Sequence, residues 1–173
     1  MSHISGMIRA MSAVPRVHLA DPQANVCEIV ELLRQADAQN VRLCVFPELC
    51  LCGYTCADLL IHPPLLSGCL QALDTLLQAP VRAAFVVGLP LEIGGRLYNC
   101  AVAVCGGRIL GVVPKTHLPG SCEFYEKRWF EPGHSAPESM TLCGQTVPVG
   151  GDLVFDCGLF SFGVELCEDL WVP

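Results

Sequence analysis

The sequence predicts an α/β sandwich. Strand-length apolar runs alternate twice with helix-like apolar periodicity, and several antiparallel strands joined by Gly-Gly turns then follow. Hydrophobic residues make up 52% of the 173-residue chain and charged residues only 16%, which is enough apolar material for one core of ordinary domain size.

The elements are expected in this order. Met7–Val14 reads as a first strand. Asp21 and Pro22 mark a helix start, as cap and first helical residue. Val26, Ile29, Val30, Leu33 and Ala36 then recur at the spacing of one helix face. Val41–Phe46 is a short apolar strand. Leu65–Leu77 is a second helix, with Leu66, Leu70, Leu73 and Leu77 on one face. Ala83–Leu89 reads as a strand buried on both sides. Gly94-Gly95 marks a hairpin turn, and Leu97–Cys105 pairs with Arg108–Val113 around Gly106-Gly107. Thr116 to Gly151 is polar and rich in Pro and Gly. It is expected to be a long loop with a functional job. A hairpin of Leu153–Asp156 and Leu159–Leu166 follows, and its second strand feeds a helix start at Cys167. There is no repeat, linker or domain boundary, so residues 1–173 are expected to form one domain.

The net charge of −7 argues against nucleic acid and against docking on anionic lipid, both of which call for a basic face. No apolar run approaches the ~20 residues that a membrane-crossing helix needs. Met1–Met11 lacks a basic start followed by a long apolar stretch, so no secretory signal is expected and a cytoplasmic location is. Twelve cysteines leave two readings open. In a secreted protein they would be disulfides. In a cytosolic one they are reduced, buried, small hydrophobes, which suits Cys44, Cys100, Cys105 and Cys157 inside apolar runs. Cys50, Cys52 and Cys56 lack the paired spacing of a zinc site, so no metal is expected.

Three reactive groups each follow an apolar strand: Glu48 after Val41–Phe46, Lys115 after Ile109–Val113, and Cys167 after Phe162–Leu166. Strand ends are where α/β folds build sites, and the three converge if their strands are neighbours. A thiol needs a base to become a nucleophile, and Glu48 can take its proton and return it to a leaving amine. Lys115 would stabilise an oxyanion and favour the thiolate. A helix start at Cys167 would lower the thiol pKa further. Taken singly, each residue also has a plain reading: a structural Cys, a capping Glu, a solvated Lys.

The surrounding words resemble a known family. Phe46-Pro47-Glu48-Leu49, with Gly53-Tyr54 and Asp58-Leu59-Leu60 after it, resembles the first motif of the carbon–nitrogen hydrolase (nitrilase) superfamily. Lys115-Thr116-His117-Leu118-Pro119 resembles the second, and Val164-Glu165-Leu166-Cys167-Glu168-Asp169 the third. Glu123–Phe130 and Cys167–Pro173 look like the glutaminase domains of glutamine-dependent NAD synthetases. The resemblance implies an αββα sandwich and a glutamine amidohydrolase that supplies ammonia. It implies Glu48 as general base, Lys115 as oxyanion stabiliser and Cys167 as nucleophile, supported by Glu126. Tyr54, Glu168 and Trp171 match positions that line the glutamine pocket. It further implies no cofactor for the glutaminase reaction, ATP and Mg for a synthetase domain normally in the same chain, and a homo-oligomer.

Two departures stand out. Gly120-Ser121 replaces an aromatic that the family carries after Leu118-Pro119, which suits a stand-alone amidase or nitrilase acting on another amide. No Ser-Gly-Gly-x-Asp-Ser loop is present to hold a nucleotide pyrophosphate, and the family domain continues beyond the nucleophile. The resemblance therefore implies a domain truncated just after Cys167 with no synthetase domain. Such a segment alone is expected to be poorly soluble or inactive, and an inactive fragment is the remaining alternative.

Overall fold

A computed structural model describes residues 6–172. The reading of Met1–Met11 falls partly outside that range. The core is a five-stranded mixed sheet in the order β1-β2-β3-β4-β5. Its strands are β1 (Ala10–Ser12), β2 (Leu43–Val45), β3 (Ala84–Ile93), β4 (Arg96–Cys105) and β5 (Arg108–Pro114). β1, β2 and β3 are parallel, and β3, β4 and β5 form an antiparallel meander.

Two helices cover one face. α1 (Pro22–Ala38) starts where expected: the Asp21 carboxylate accepts from Ala24 N at 3.0 Å and Pro22 opens the helix. It ends before Asn40, which takes a left-handed φ of 55°. α2 (Pro63–Gln78) buries Leu65, Cys69, Ala72, Leu73, Leu76 and Leu77. Its inward face is therefore rotated from the expected one, and Leu70 is exposed. The small Cys69 and Ala72 lie on the buried side, where they let α2 approach closely. No helix among the described residues is long and apolar enough to cross a membrane.

β3 runs past the expected stop at Leu89 and continues through Pro90 to Ile93. Alternate residues of β3 direct their backbone toward β2: Ala84 N donates to Arg42 O, and Val86 O and Gly88 O accept from Phe46 N and Leu51 N. Pro90 falls on that side, but β2 has already ended, so its missing N–H leaves no strand bond unmade. The Gly94-Gly95 and Gly106-Gly107 turns join β3 to β4 and β4 to β5 as expected.

The segment expected to be a long loop contains a hairpin of β6 (Ser139–Leu142) and β7 (Gln145–Pro148), which leans on β5 through a bridge between Val112 and Val149. Its strands are short and mostly polar outward, so the apolar period is too brief to read. The following hairpin is shorter than expected: only β8 (Phe155–Asp156) and β9 (Ser161–Phe162) pair. They lie on the second face of the main sheet. There Phe155 and Leu166, with the half-buried Phe162 and Val164, pack on Val86, Ala101, Ala103 and Val113. Small residues let this layer close down. A Cβ on Gly111 would lie 2.8 Å from the Phe155 ring.

Glu48 does not reach its place by standing on a strand next to that of Lys115, since β3 and β4 separate β2 from β5. The turn after β2 instead crosses over β3 at Gly88. A Cβ there would meet Leu49 N at 2.3 Å and Pro47 O at 2.9 Å. We expect Gly88→Ala to lower stability by about 1–3 kcal/mol through this overpacking. Urea denaturation measures it, and an unchanged midpoint would contradict the close crossing.

Candidate active site

Lys115 is the first residue past β5, and its side chain is fully buried. The strand end fixes its backbone: Lys115 N donates to Asn99 O at 2.8 Å, and Lys115 O accepts from Gly133 N at 2.8 Å. Gly133 is needed there, because a Cβ would sit 2.4 Å from Pro114 O. The ammonium lies between two carboxylates. Lys115 Nζ donates to Glu48 Oε1 at 2.8 Å and to Glu126 Oε1 at 2.6 Å. Burial works against its charge, but the bonds to Glu126 and Glu48 outweigh this and hold the pKa above the usual lysine range.

Glu48 stands three residues past β2 and is mostly buried. Burial pushes its pKa up, the Lys115 hydrogen bond and charge oppose this, and the Glu126 charge adds to the rise. A carboxylate so placed is a stronger base than a solvated one. Glu126 opens a short 3₁₀ turn, Glu126–Arg128, and is buried. Tyr54 OH donates to Glu126 Oε1 at 2.5 Å, and its ring meets Phe124 edge-on. Burial and that bond raise the Tyr54 pKa, so the hydroxyl stays a donor. The Tyr54 hydroxyl is thus committed to Glu126. The surrounding loops are clasped by Asp58, which accepts from Arg128 Nε at 2.7 Å, Arg128 Nη2 at 3.0 Å and Trp129 Nε1 at 2.9 Å.

Sequence reasoning missed Asn99. It lies on β4 between the strands that lead to Glu48 and Lys115, and it is fully buried. Its Nδ2 donates to Glu48 Oε1 at 2.5 Å and to Glu126 Oε2 at 3.3 Å. Its Oδ1 is buried with no hydrogen-bond partner among the described residues. Such an orphan costs about 1–3 kcal/mol. The available signal was one amide within the largely apolar run Leu97–Cys105.

Cys167 opens a 3₁₀ turn of five residues, Cys167–Trp171, and has a left-handed φ of 49°. The residues before it, Gly163–Leu166, are not in a strand, contrary to expectation. The expected helix-start lowering of the thiol pKa is also not found. Burial raises it, the Lys115 charge opposes the rise, and the Glu48, Glu126 and Glu168 charges add to it. The turn is too short to carry the dipole of a full helix. Cys167 and Glu48 line one cavity of about 120 Å³. Asp169 ties the Cys167 turn to the segment after Lys115, accepting from His117 N at 2.7 Å, His117 Nδ1 at 3.0 Å and Thr116 N at 3.2 Å. This second unforeseen residue holds the third motif to the second.

Glu168 lines a separate open cavity of about 550 Å³ with His117, Lys127 and His134. Trp171 is 76% exposed and belongs to neither cavity. All twelve cysteines are free thiols. Cys44 and Cys100 are buried as expected, while Cys105 and Cys157 are half-buried.

A thiol sharing a cavity with a buried base, beside an enclosed ammonium, is equipped for acyl transfer. Similarity to known proteins agrees with that class. The chain belongs to the carbon-nitrogen hydrolase family, whose profile matches residues 9–173. It is 38% identical to the glutamine-dependent NAD(+) synthetase of Mycobacterium tuberculosis over 97% of this chain and 26% of that protein. Among solved structures, a glutamine-dependent NAD(+) synthetase from Cytophaga hutchinsonii superposes with a TM-score of 0.87 at 28% identity, over 94% of this chain and 28% of that one. An amidase from Nesterenkonia sp. shares the fold with a TM-score of 0.65 at 23% identity, over 82% of this chain and 54% of that one. The chain thus spans about a quarter of the length of the curated relatives it matches.

Two predictions follow from the charge arrangement. Lys115→Met leaves two mostly buried carboxylates without their cation and should cost about 3–5 kcal/mol of stability by urea denaturation. Adding Glu126→Gln should restore part of the loss, whereas additive losses would contradict a coupled set. Separately, alkylation of Cys167 by iodoacetamide, followed by peptide mass spectrometry, should reach half its maximal rate at a pH above that of a free thiol. Lys115→Met removes the charge that favours the thiolate, so the midpoint should move higher still. A midpoint at or below the free-thiol value would contradict the assignment.

Proposed function

We propose that the chain is a glutaminase domain, residues 1–173, that releases ammonia from glutamine for NAD synthesis. The observation that carries the reading is the buried Lys115–Glu48 pair with Glu48 and Cys167 sharing one cavity. The 38% identity to a glutamine-dependent NAD(+) synthetase supports glutamine as the amide.

In this reading Glu48 takes the proton of the Cys167 thiol, and the sulfur attacks the side-chain amide carbon. The oxygen gains negative charge, which Lys115 stabilises. Glu48 returns the proton to the nitrogen, the C–N bond breaks and ammonia leaves. Water, deprotonated by Glu48, then attacks the thioester. The S–C bond breaks, the thiol regains its proton and glutamate departs. Glu126 orients Lys115, and Tyr54 holds Glu126. Glu168, next to Cys167 in the same turn, is assigned to face the ammonium of the amino-acid substrate. Trp171, at the end of the same turn, is assigned to the substrate side of the site. The hydrolysis requires no cofactor. ATP and Mg belong to a synthetase domain, which in the curated relatives would account for much of the remaining length.

The test is glutamine-dependent ammonia release by the full-length protein, wild type and Cys167→Ala. The variant should lose activity by about a thousand-fold or more, since the nucleophile acts only with its base. Retained activity would remove Cys167 from this role.

A further inference from the structure

We propose that Asn99 is a positioning residue for the catalytic base: its one side-chain nitrogen holds Glu48 and Glu126 apart and aims Glu48 at the thiol. The inference rests on the reading of Glu48 as base.

The geometry matches what an amide can do. An NH₂ group carries two hydrogens, and here each has one carboxylate to meet, Glu48 Oε1 and Glu126 Oε2. The orientation is fixed by charge. Turning the amide over would set Oδ1 against both carboxylates. The fold keeps Oδ1 buried, with no partner among the described residues, in order to present the nitrogen. The backbone of Asn99 serves the same site, because its carbonyl accepts from Lys115 N at 2.8 Å. One residue therefore fixes the carboxylates by its side chain and the lysine by its main chain.

A neutral donor suits the task better than a second cation. Two carboxylates share one ammonium, so one negative charge is left over. A second cation at position 99 would neutralise that charge, but it would also drain the basicity Glu48 needs. The amide binds both carboxylates and lowers that basicity less than a full positive charge would. The groups facing Glu48 are Lys115 just past β5, Asn99 from β4, Glu126 from the 3₁₀ turn with Tyr54 behind it, and Cys167 across the shared cavity. The Asn99 bond favours the ionised form of Glu48. Removing it should therefore raise the Glu48 pKa.

The experiment is a carbon-13 NMR titration of the Glu48 carboxyl in wild type and Asn99→Leu, with the acid limb of kcat/KM for glutamine measured alongside. In Asn99→Leu the Glu48 midpoint should rise, because a hydrogen bond to the ionised carboxylate is lost. The acid limb should move up equally and kcat should fall about tenfold, with KM little changed. An unmoved midpoint in a folded variant would overturn the proposal. Should the variant fail to fold, the wild type still decides. The Asn99 side-chain amide protons must shift with the Glu48 titration, and a flat response would overturn the proposal equally. Neither NMR readout depends on Cys167 being the nucleophile, so a failure of the glutaminase reading is seen separately, as ammonia release that survives in Cys167→Ala.

Discussion

The Lys115 ammonium sits out of water between the Glu48 and Glu126 carboxylates, and most of the site's geometry answers to that enclosure. A buried cation persists only where its partners are close and well aimed. Here the partners come from separate segments: Glu48 from the turn past β2, and Glu126 from the long connection after β5. Gly88 lets the Glu48 turn cross β3, and Gly133 lets the returning chain press on Pro114. The register of β4 against β5 places Asn99 level with Lys115. A slip of one residue would turn Asn99 to the other face and break the set.

Much of this was legible in the sequence, for identifiable reasons. The cap and proline of α1 act locally, and its periodicity matches the helix that forms. The Gly-Gly turns fix the meander because they meet positive φ wherever the chain runs. Other features depended on neighbours that the sequence does not display. Pro90 looked like a strand end, yet β2 stops short of it and the strand continues. Leu66 and Leu70 looked like core, but the small Cys69 and Ala72 turn a different face inward. The run Leu159–Leu166 looked like one strand. Only Ser161–Phe162 pairs, while Val164 and Leu166 pack on the sheet beneath.

The site followed the same division. Glu48, Lys115 and Cys167 stand in words that resemble family motifs, and the fold gathers all three at one end of the sheet. Their means of convergence differs from neighbouring strand ends. It requires the crossing at Gly88, a long lysine, and the Asp169 clamp that draws the Cys167 turn to Thr116 and His117. Asn99 carries no motif of its own, so its role emerges only from its position between the carboxylates. The expected helix dipole at Cys167 gives way to a five-residue turn, leaving Lys115 as the charge that opposes the rise in thiol pKa.

The proposed reaction makes the sulfur of Cys167 the point at which the substrate becomes covalently bound. Quenching the protein in acid during turnover with glutamine, then mapping its peptides by mass spectrometry, tests this directly. The account predicts the mass of a glutamyl group on the peptide that carries Cys167 and on none of the other eleven cysteines. Ammonia release with the adduct on a different cysteine would contradict it.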